Sequence, residues 1–397
     1  MFGLFFALMA AGRIYAGLRS QFGQVLSIYM AWCIASTGWS EVPSLSIMKS
    51  IAFLLTAIGF ISGGYAWAAS LKKQNVLDFL WPIIGLTLFA GFLATGRASQ
   101  PILNGSIELY RGLTGNPNYL GALVAMSFPP ALWLGYRNRN NGVWLFISGA
   151  IIVALLYLLW ASASRSSLLA VAFVGLFFLI SLNVKKRTMI VTLGGIFVLA
   201  VISLAPSWQE TAYNRLVLKG NIDEDGAILI SRQDVWNVSY LQALKGGVVG
   251  GGYGVTIGDV DRTNGISLVS AFNYGREKGN TELAVWEELG LVGLALYGWL
   301  IILLVYDLSR CLRRTTEPET RVEVGLVFGA IVGFIAHSTF EAWWVAPGAA
   351  ESAYFWAMVG VASGLIRRGA SLQQRSQYQG PTPITASSTV SPLSTGS

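Results

Sequence analysis

Ser231-Arg232-Gln233-Asp234-Val235-Trp236, the glycine cluster Gly246 to Gly254, and Gly279-Asn280-Thr281-Glu282 all stand in one interval, Ala205 to Glu288. It is the only long polar stretch of a greasy chain. An interval of this kind between apolar segments reads as a large extracytoplasmic loop that closes a membrane-embedded site. Outward from it, the rest of the sequence reads as membrane.

The chain has 397 residues, of which 54% are hydrophobic and only 12% charged, and its mean hydropathy is +0.56. A soluble chain of this length cannot hide that much apolar surface. Cys33 and Cys311 sit in or beside separate apolar runs, with no disulfide framework or zinc-ligand spacing. A single histidine, His337, leaves almost no room for a histidine-rich metal centre, and no cofactor is expected. The net charge of +7 is spread over alternate loops, which argues against a nucleic-acid partner.

Apolar segments able to cross ~30 Å of hydrocarbon recur with short polar breaks. They fall near Phe2–Gly12, Phe22–Gly38, Ser50–Ser70, Val76–Thr95, Tyr119–Tyr136, Val143–Ala161, Ser166–Leu182, Thr188–Ala205, Leu283–Tyr306, Val322–Phe340 and Ser352–Ile366. In lipid each must satisfy its own backbone, so the expected fold is an all-α polytopic membrane protein with about 11 transmembrane helices and one large extracytoplasmic loop. The helix interiors read as nearly free of acids and bases. The expected parts are amino-terminal membrane helices over 1–204, the loop with short helices over 205–282, carboxy-terminal membrane helices over 283–368, and a disordered cytoplasmic tail over 369–397, rich in Ser, Thr, Pro and Gln.

Alternate loops differ in charge. One set carries sixteen basic residues, from Arg13 and Arg19 through Lys185-Lys186-Arg187 to Arg367, Arg368 and Arg375, against five acids; the other carries eleven basic residues and fifteen acids. The basic set is cytoplasmic by the positive-inside rule. The 205–282 loop, the turns near Arg97–Asn118 and Ser162–Arg165, and Glu341–Glu351 then lie outside, and the carboxy terminus lies inside. By the same alternation the amino terminus faces outward, which implies a misplaced first helix or a helix upstream of Met1.

Several residues on the outer side could carry chemistry. Arg165, in Ala161-Ser162-Ala163-Ser164-Arg165-Ser166-Ser167, is either an interfacial arginine or an anion clamp among small neighbours. Arg232 follows a possible N-cap, Ser231, and shares a helix face with Trp236; a helix amino terminus with an arginine suits phosphate, and an amphipathic surface helix is the alternative. Asn116-Pro117-Asn118, with Gly115 and Arg111, forms a turn before a helix, where two carboxamides could meet sugar hydroxyls. The glycines of Gly246–Gly254 follow no strand, so a tight loop permitting close backbone approach fits better than a nucleotide phosphate loop. His337 and Glu341, four apart near the outer end of a helix, are a candidate base and a candidate polar partner, against a plain packing role for the histidine. Trp343-Trp344 reads as an interfacial belt, with a sugar-stacking surface as the alternative.

Taken in order, these residues resemble the bacterial O-antigen ligase and polymerase superfamily over roughly Arg111 to Ile366. The landmarks are Gly115-Asn116-Pro117-Asn118-Tyr119-Leu120; Ser162-Ala163-Ser164-Arg165-Ser166-Ser167-Leu168; Arg232 with Trp236; Gly250-Gly251-Gly252-Tyr253-Gly254; and Asn280-Thr281-Glu282-Leu283 running to Glu288-Leu289-Gly290-Leu291-Val292-Gly293. His337-Ser338-Thr339-Phe340-Glu341 is similar to a weaker pattern of the penultimate helix. The resemblance implies a metal-independent glycosyltransferase of C-type membrane architecture in a bacterial inner (plasma) membrane. Its donor would be an undecaprenyl-diphosphate-linked glycan, used on the periplasmic or outer face, and its acceptor a glycan or lipid-linked glycan.

The family's two essential arginines fall on Arg165 and Arg232. His337 and Glu282 are candidate bases; Arg111, Asn116, Asn118, Trp236, Asn280 and Glu341 are candidate substrate contacts. Where the ligases place a histidine before the asparagine matched by Asn280, this chain has Gly279, which shifts weight toward the polymerase branch. A flippase for lipid-linked oligosaccharide and an inactive homologue are the rival readings.

Overall fold

A computed structural model describes residues 20–70, 75–93, 99–102, 105–185, 187–192, 230–257 and 278–378. Among them are ten α-helices: α1 Gln21–Ala35, α2 Pro43–Ser70, α3 Trp81–Phe92, α4 Pro117–Arg137, α5 Gly142–Ser162, α6 Arg165–Ser181, α7 Ile230–Gly246, α8 Thr281–Arg314, α9 Pro318–Ser338 and α10 Ala350–Tyr378. The candidate spans Phe2–Gly12 and most of Thr188–Ala205 lie outside the described residues. Four helical segments, Pro43–Ala69, Gly142–Ser162, Thr281–Arg314 and Pro318–Ser338, are long and apolar enough to cross a bilayer, which marks a multi-pass membrane protein. Val76–Phe92 and Arg165–Ser181 are shorter apolar helices.

Glycine seams pack the helices. At α9, Gly325, Gly329 and Gly333 recur every fourth residue and lie against Ser181, Val174 and Ala170 of α6; a Cβ at Gly333 would stand 2.7 Å from the Ala170 carbonyl oxygen. The α2–α10 pair repeats the device: a Cβ at Gly64 would sit 2.2 Å from the Ala357 oxygen, and one at Gly360 2.2 Å from the Ile61 oxygen. Lipid offers no hydrophobic drive between helices, so close approach through small residues supplies the dispersion contact that holds them.

The two ends of the bundle differ. At one, Arg137 pairs with Asp78 at 2.8 Å and Arg139 with Glu319 at 3.8 Å, contacts of small energy because they are partly exposed. At the other lie the first turns of α4, α6 and α8. Loops that the charge count assigned to the basic face thus do meet one another.

The architecture departs from expectation in five places, apart from the site itself. The turn before Asn116 contains an antiparallel hairpin, β1 Ser99–Ile102 and β2 Gly105–Tyr110, so the described fold is not purely helical. The tail's first residues continue α10 as far as Tyr378, beyond the apolar run that marked its end. Trp343 and Trp344 are buried instead of forming a belt; Trp344 Nε1 donates to Tyr29 Oη at 3.2 Å and its ring meets Trp356 at 4.9 Å. The helix interiors are also not free of charge, since Lys49, Glu287, Glu288 and Glu323 are all buried within helices.

The fifth departure shapes the site. The run Leu283–Tyr306 is not one continuous helix: α8 breaks at Gly290, whose φ is 70° and ψ −172°. Its 34 residues, about 50 Å at 1.5 Å per residue, exceed the hydrocarbon thickness, and the break divides them. A break in a membrane-spanning helix frees backbone groups that lipid cannot satisfy, and the glycine cluster supplies their partners. Gly251 N–H donates to the Glu287 carbonyl at 3.0 Å and Gly252 N–H to that of Glu288 at 2.9 Å. Leu291 and Val292 donate to the carbonyls of Gly247 and Val248 at 3.1 and 3.2 Å, and Trp32 Nε1 donates to the Leu289 carbonyl at 2.9 Å. The close backbone approach read from these glycines is therefore present, and its partner is α8.

Candidate functional site

Asn116 caps α4, its Oδ1 accepting from Asn118 N–H at 2.8 Å. Pro117 follows at the first helical position, where a missing N–H costs nothing. The cap leaves the Asn118 side chain one residue into the helix, and its Nδ2 donates to Glu341 Oε1 at 2.6 Å. Arg111 reaches back instead, donating to the Gly115 carbonyl at 3.2 Å.

Glu341 does not share a helix face with His337. Helix α9 ends at Ser338, and 3₁₀-type bonds from Phe340 N–H to His337 O and from Glu341 N–H to Ser338 O turn the chain away. His337 stays buried, its ring stacked on Phe334 at 5.5 Å.

Asn280 caps α8, its Oδ1 accepting from Leu283 N–H at 2.8 Å while its Nδ2 donates to the Thr339 carbonyl at 3.0 Å. Thr281 Oγ1 donates to the Glu341 carbonyl at 3.4 Å. Glu282 follows in the first turn: its Oε1 accepts from Tyr297 Oη at 3.3 Å and from Thr339 Oγ1 at 3.4 Å. Tyr297 is buried under Trp344, ring to ring at 4.8 Å. The turn 338–341 is thus the point where the starts of α4 and α8 join.

Helix α6 begins beside them. Gly121, one turn into α4, is so close to its amino terminus that a Cβ would lie 2.5 Å from Ser164 Cβ and 2.7 Å from Ser167 Oγ. Ala163, at φ 47°, reverses the chain between α5 and α6, and Arg165 is the half-buried first residue of α6. Three helix amino termini, each carrying a partial positive charge, therefore gather at one place; at α4 the first N–H groups are already taken, those of Asn118 and Tyr119 by Asn116 Oδ1 and the Asn116 carbonyl.

Helix α7 docks on the same place through Trp236, whose Nε1 donates to the Gly279 carbonyl at 3.3 Å and whose ring meets Phe340 at 5.7 Å. The described part of α7 begins at Ile230, which places Ser231 inside the helix and not at its N-cap position, and the helix stops at Gly246. Arg232 is on α7, with its side chain outside the described residues. Gly279 adopts φ 68°, a left-handed conformation that glycine takes without strain and a histidine would not.

Sequence reasoning missed a buried ionic cluster at the break in α8. Lys278 Nζ contacts Glu288 Oε1 at 2.8 Å, Glu287 Oε2 at 3.0 Å and the Val255 carbonyl at 3.1 Å. The remaining carboxylate oxygens accept from Gly254 N–H at 2.7 Å and Ile257 N–H at 3.0 Å. Burial alone would lower the proton affinity of Lys278, but Glu288 and then Glu287 outweigh it and raise the ammonium above its ordinary range. Backbone atoms of the same segment hold α7, since the Lys278 carbonyl accepts from Ser239 Oγ at 2.7 Å. The signal was legible: two adjacent glutamates opening an apolar run are costly unless they are matched.

The structure thus joins Asn116, Asn118, Trp236, Asn280, Glu282 and Glu341 in one network and sets Arg165 at its edge. It leaves His337 beneath and Arg111 on its own turn.

No family model matches this chain, and no curated protein does. Among solved structures it is similar to a chain from work on the structural coordination of polymerization and crosslinking by a peptidoglycan synthase complex. The TM-score is 0.48 and the identity 14%, covering 88% of this chain and 97% of the other.

Proposed function

We propose that this chain transfers a glycosyl unit from an undecaprenyl-diphosphate-linked glycan to an acceptor glycan on the outer face of a bacterial inner membrane. The observation that carries this reading is the gathering of the starts of α4, α6 and α8 around the turn 338–341, with Arg165 at the first position of α6. Helix amino termini and a guanidinium together suit a diphosphate. Arg165 and Arg232 neutralise charge as the diphosphate departs, the stage at which preorganised electrostatics lowers the barrier most. The Asn118–Glu341 pair and Asn280 offer donors and acceptors to sugar hydroxyls, and holding both glycans in place removes much of the entropic barrier.

The resemblance to O-antigen ligases and polymerases supports the same reading. Gly279, held at positive φ where the ligases carry a histidine, favours a polymerase. A C-type glycosyltransferase with about eleven crossings and a large outer loop is the architecture this function implies. The buried charges do not favour a flippase, because Lys278, Glu287 and Glu288 satisfy one another at one end of the bundle and Glu323 accepts from Val76 N–H at 2.8 Å toward the other.

A glycan profile of a deletion strain tests the proposal. Loss of long chains on the lipid carrier indicates a polymerase; loss of transfer with polymer retained indicates a ligase; an unchanged profile on both counts defeats it.

A further inference from the structure

Glu282 is held by only one of its two oxygens. Its Oε1 takes long bonds from Tyr297 Oη (3.3 Å) and Thr339 Oγ1 (3.4 Å), while its Oε2 is buried with no hydrogen-bond partner among the described residues. A buried carboxylate oxygen left unmatched is costly and calls for a specific explanation. The contrast with Glu287 and Glu288 is direct, since all four of their oxygens are engaged. Glu282 also stands in the network of Asn118, Asn280 and Glu341, in the first turn of α8.

We infer that Glu282 is the base that takes the proton of the attacking acceptor hydroxyl, and that Tyr297 and Thr339 are positioning residues that fix its carboxylate. This rests on the glycosyl-transfer reading above. The hydroxyl meets Oε2, the oxygen that lacks a partner. As the O–H bond breaks, the proton passes to Oε2 and the acceptor oxygen forms a bond to the anomeric carbon. The bond from that carbon to the diphosphate oxygen breaks, and its electron pair leaves with undecaprenyl diphosphate. Glu282 then returns the proton to water. The other candidate groups are otherwise engaged: Glu341 Oε1 is bound by Asn118 at 2.6 Å, and the His337 ring is buried against Phe334.

The test uses membranes of a host strain lacking the native gene, carrying full-length variants, with the strain's own lipid-linked glycan as donor. Glu282→Gln is expected to lower the transfer rate by roughly 100-fold or more, the range of a lost general base, with the donor KM and the membrane abundance held. Tyr297→Phe is expected to lower kcat roughly tenfold, as for one lost hydrogen bond to a charged group. A residue that acts through Glu282 has nothing left to position once that carboxylate is gone, so Tyr297→Phe should cost nothing further in the Glu282→Gln background. A wild-type rate for Glu282→Gln, or an equal cost of Tyr297→Phe in both backgrounds, overturns the inference. Should Glu282→Gln fail to reach the membrane, Tyr297→Phe with Thr339→Val decides: a fall in kcat at unchanged KM and abundance supports it, and an unchanged kcat overturns it. Loss of transfer in Arg165→Ala alongside full activity in Glu282→Gln would sink this inference alone, whereas full activity in Arg165→Ala would sink the functional reading beneath it.

Discussion

Gly290 and Val248 touch backbone to backbone: a Cβ on Gly290 would stand 2.1 Å from the Val248 carbonyl oxygen. Around this contact α8 is broken, the glycine cluster is docked, and the buried pair Glu287 and Glu288 is turned toward Lys278. The first turn of α8, with Asn280 and Glu282, takes its place from it.

Gly290→Ala should therefore be among the most damaging single-methyl changes. Its φ and ψ fall in a region that is essentially glycine's alone, where a side chain costs on the order of 1–3 kcal/mol, and the clash with backbone adds to this. The expected result is a melting temperature in detergent lowered by several degrees and reduced transfer. Gly298→Ala, where nothing lies within 4 Å of the added carbon, should behave as wild type. Equal behaviour of the two variants would contradict the break as described.

The α6–α9 seam predicts a second contrast. Gly329→Leu forces a side chain against Val174 Cα, 2.8 Å from where its Cβ would lie, and should push the helices apart and cut membrane abundance several-fold. Gly175→Leu, on α6 but with open space around it, should be tolerated. Immunoblotting of membrane fractions distinguishes the two.

Lys278→Met leaves two buried carboxylates facing each other. Removing one partner of a buried ion pair costs about 3–5 kcal/mol. Amide hydrogen exchange should report it locally, as lost protection at Gly254 and Ile257, whose N–H groups those carboxylates accept. Protection unchanged at both would show that the cluster does not hold the loop.

The same lysine fixes a pH dependence. Its folded-state proton affinity is raised, so its contribution is fully present below the ordinary lysine value near ~10.4 and is lost only as pH rises through the higher folded value. The gap in melting temperature between wild type and Lys278→Met should thus not narrow from about pH 7 to about pH 9. A gap that closes within that window would mean the ammonium is not held as described.

Arg165→Ala and Arg232→Ala should each abolish polymer formation while the protein remains in the membrane, as expected when one charge facing a departing diphosphate is lost. Gel profiles of the lipid-linked glycan measure this directly, and near-normal chain length in both would remove the arginines from the mechanism.

Much of this was legible in the sequence because it depends on local chemistry. Hydropathy marks the spans, since a segment in lipid must satisfy its own backbone. Asn116-Pro117-Asn118 reads as a turn before a helix because a carboxamide before a helix caps it. The glycines of 246–254 read as a close approach because no other residue permits one.

What the sequence could not supply is the partner of each feature. That the glycine cluster splints α8, that Lys278 meets Glu287 and Glu288, that Glu341 leaves the helix of His337 to meet Asn118, and that Tyr297 lies under Glu282 are contacts between residues 10 to 223 positions apart. Local periodicity fixes which face of a helix is apolar and where the helix begins. Which backbone groups are left over at a break, and which loop comes to satisfy them, is decided only when the helices have packed.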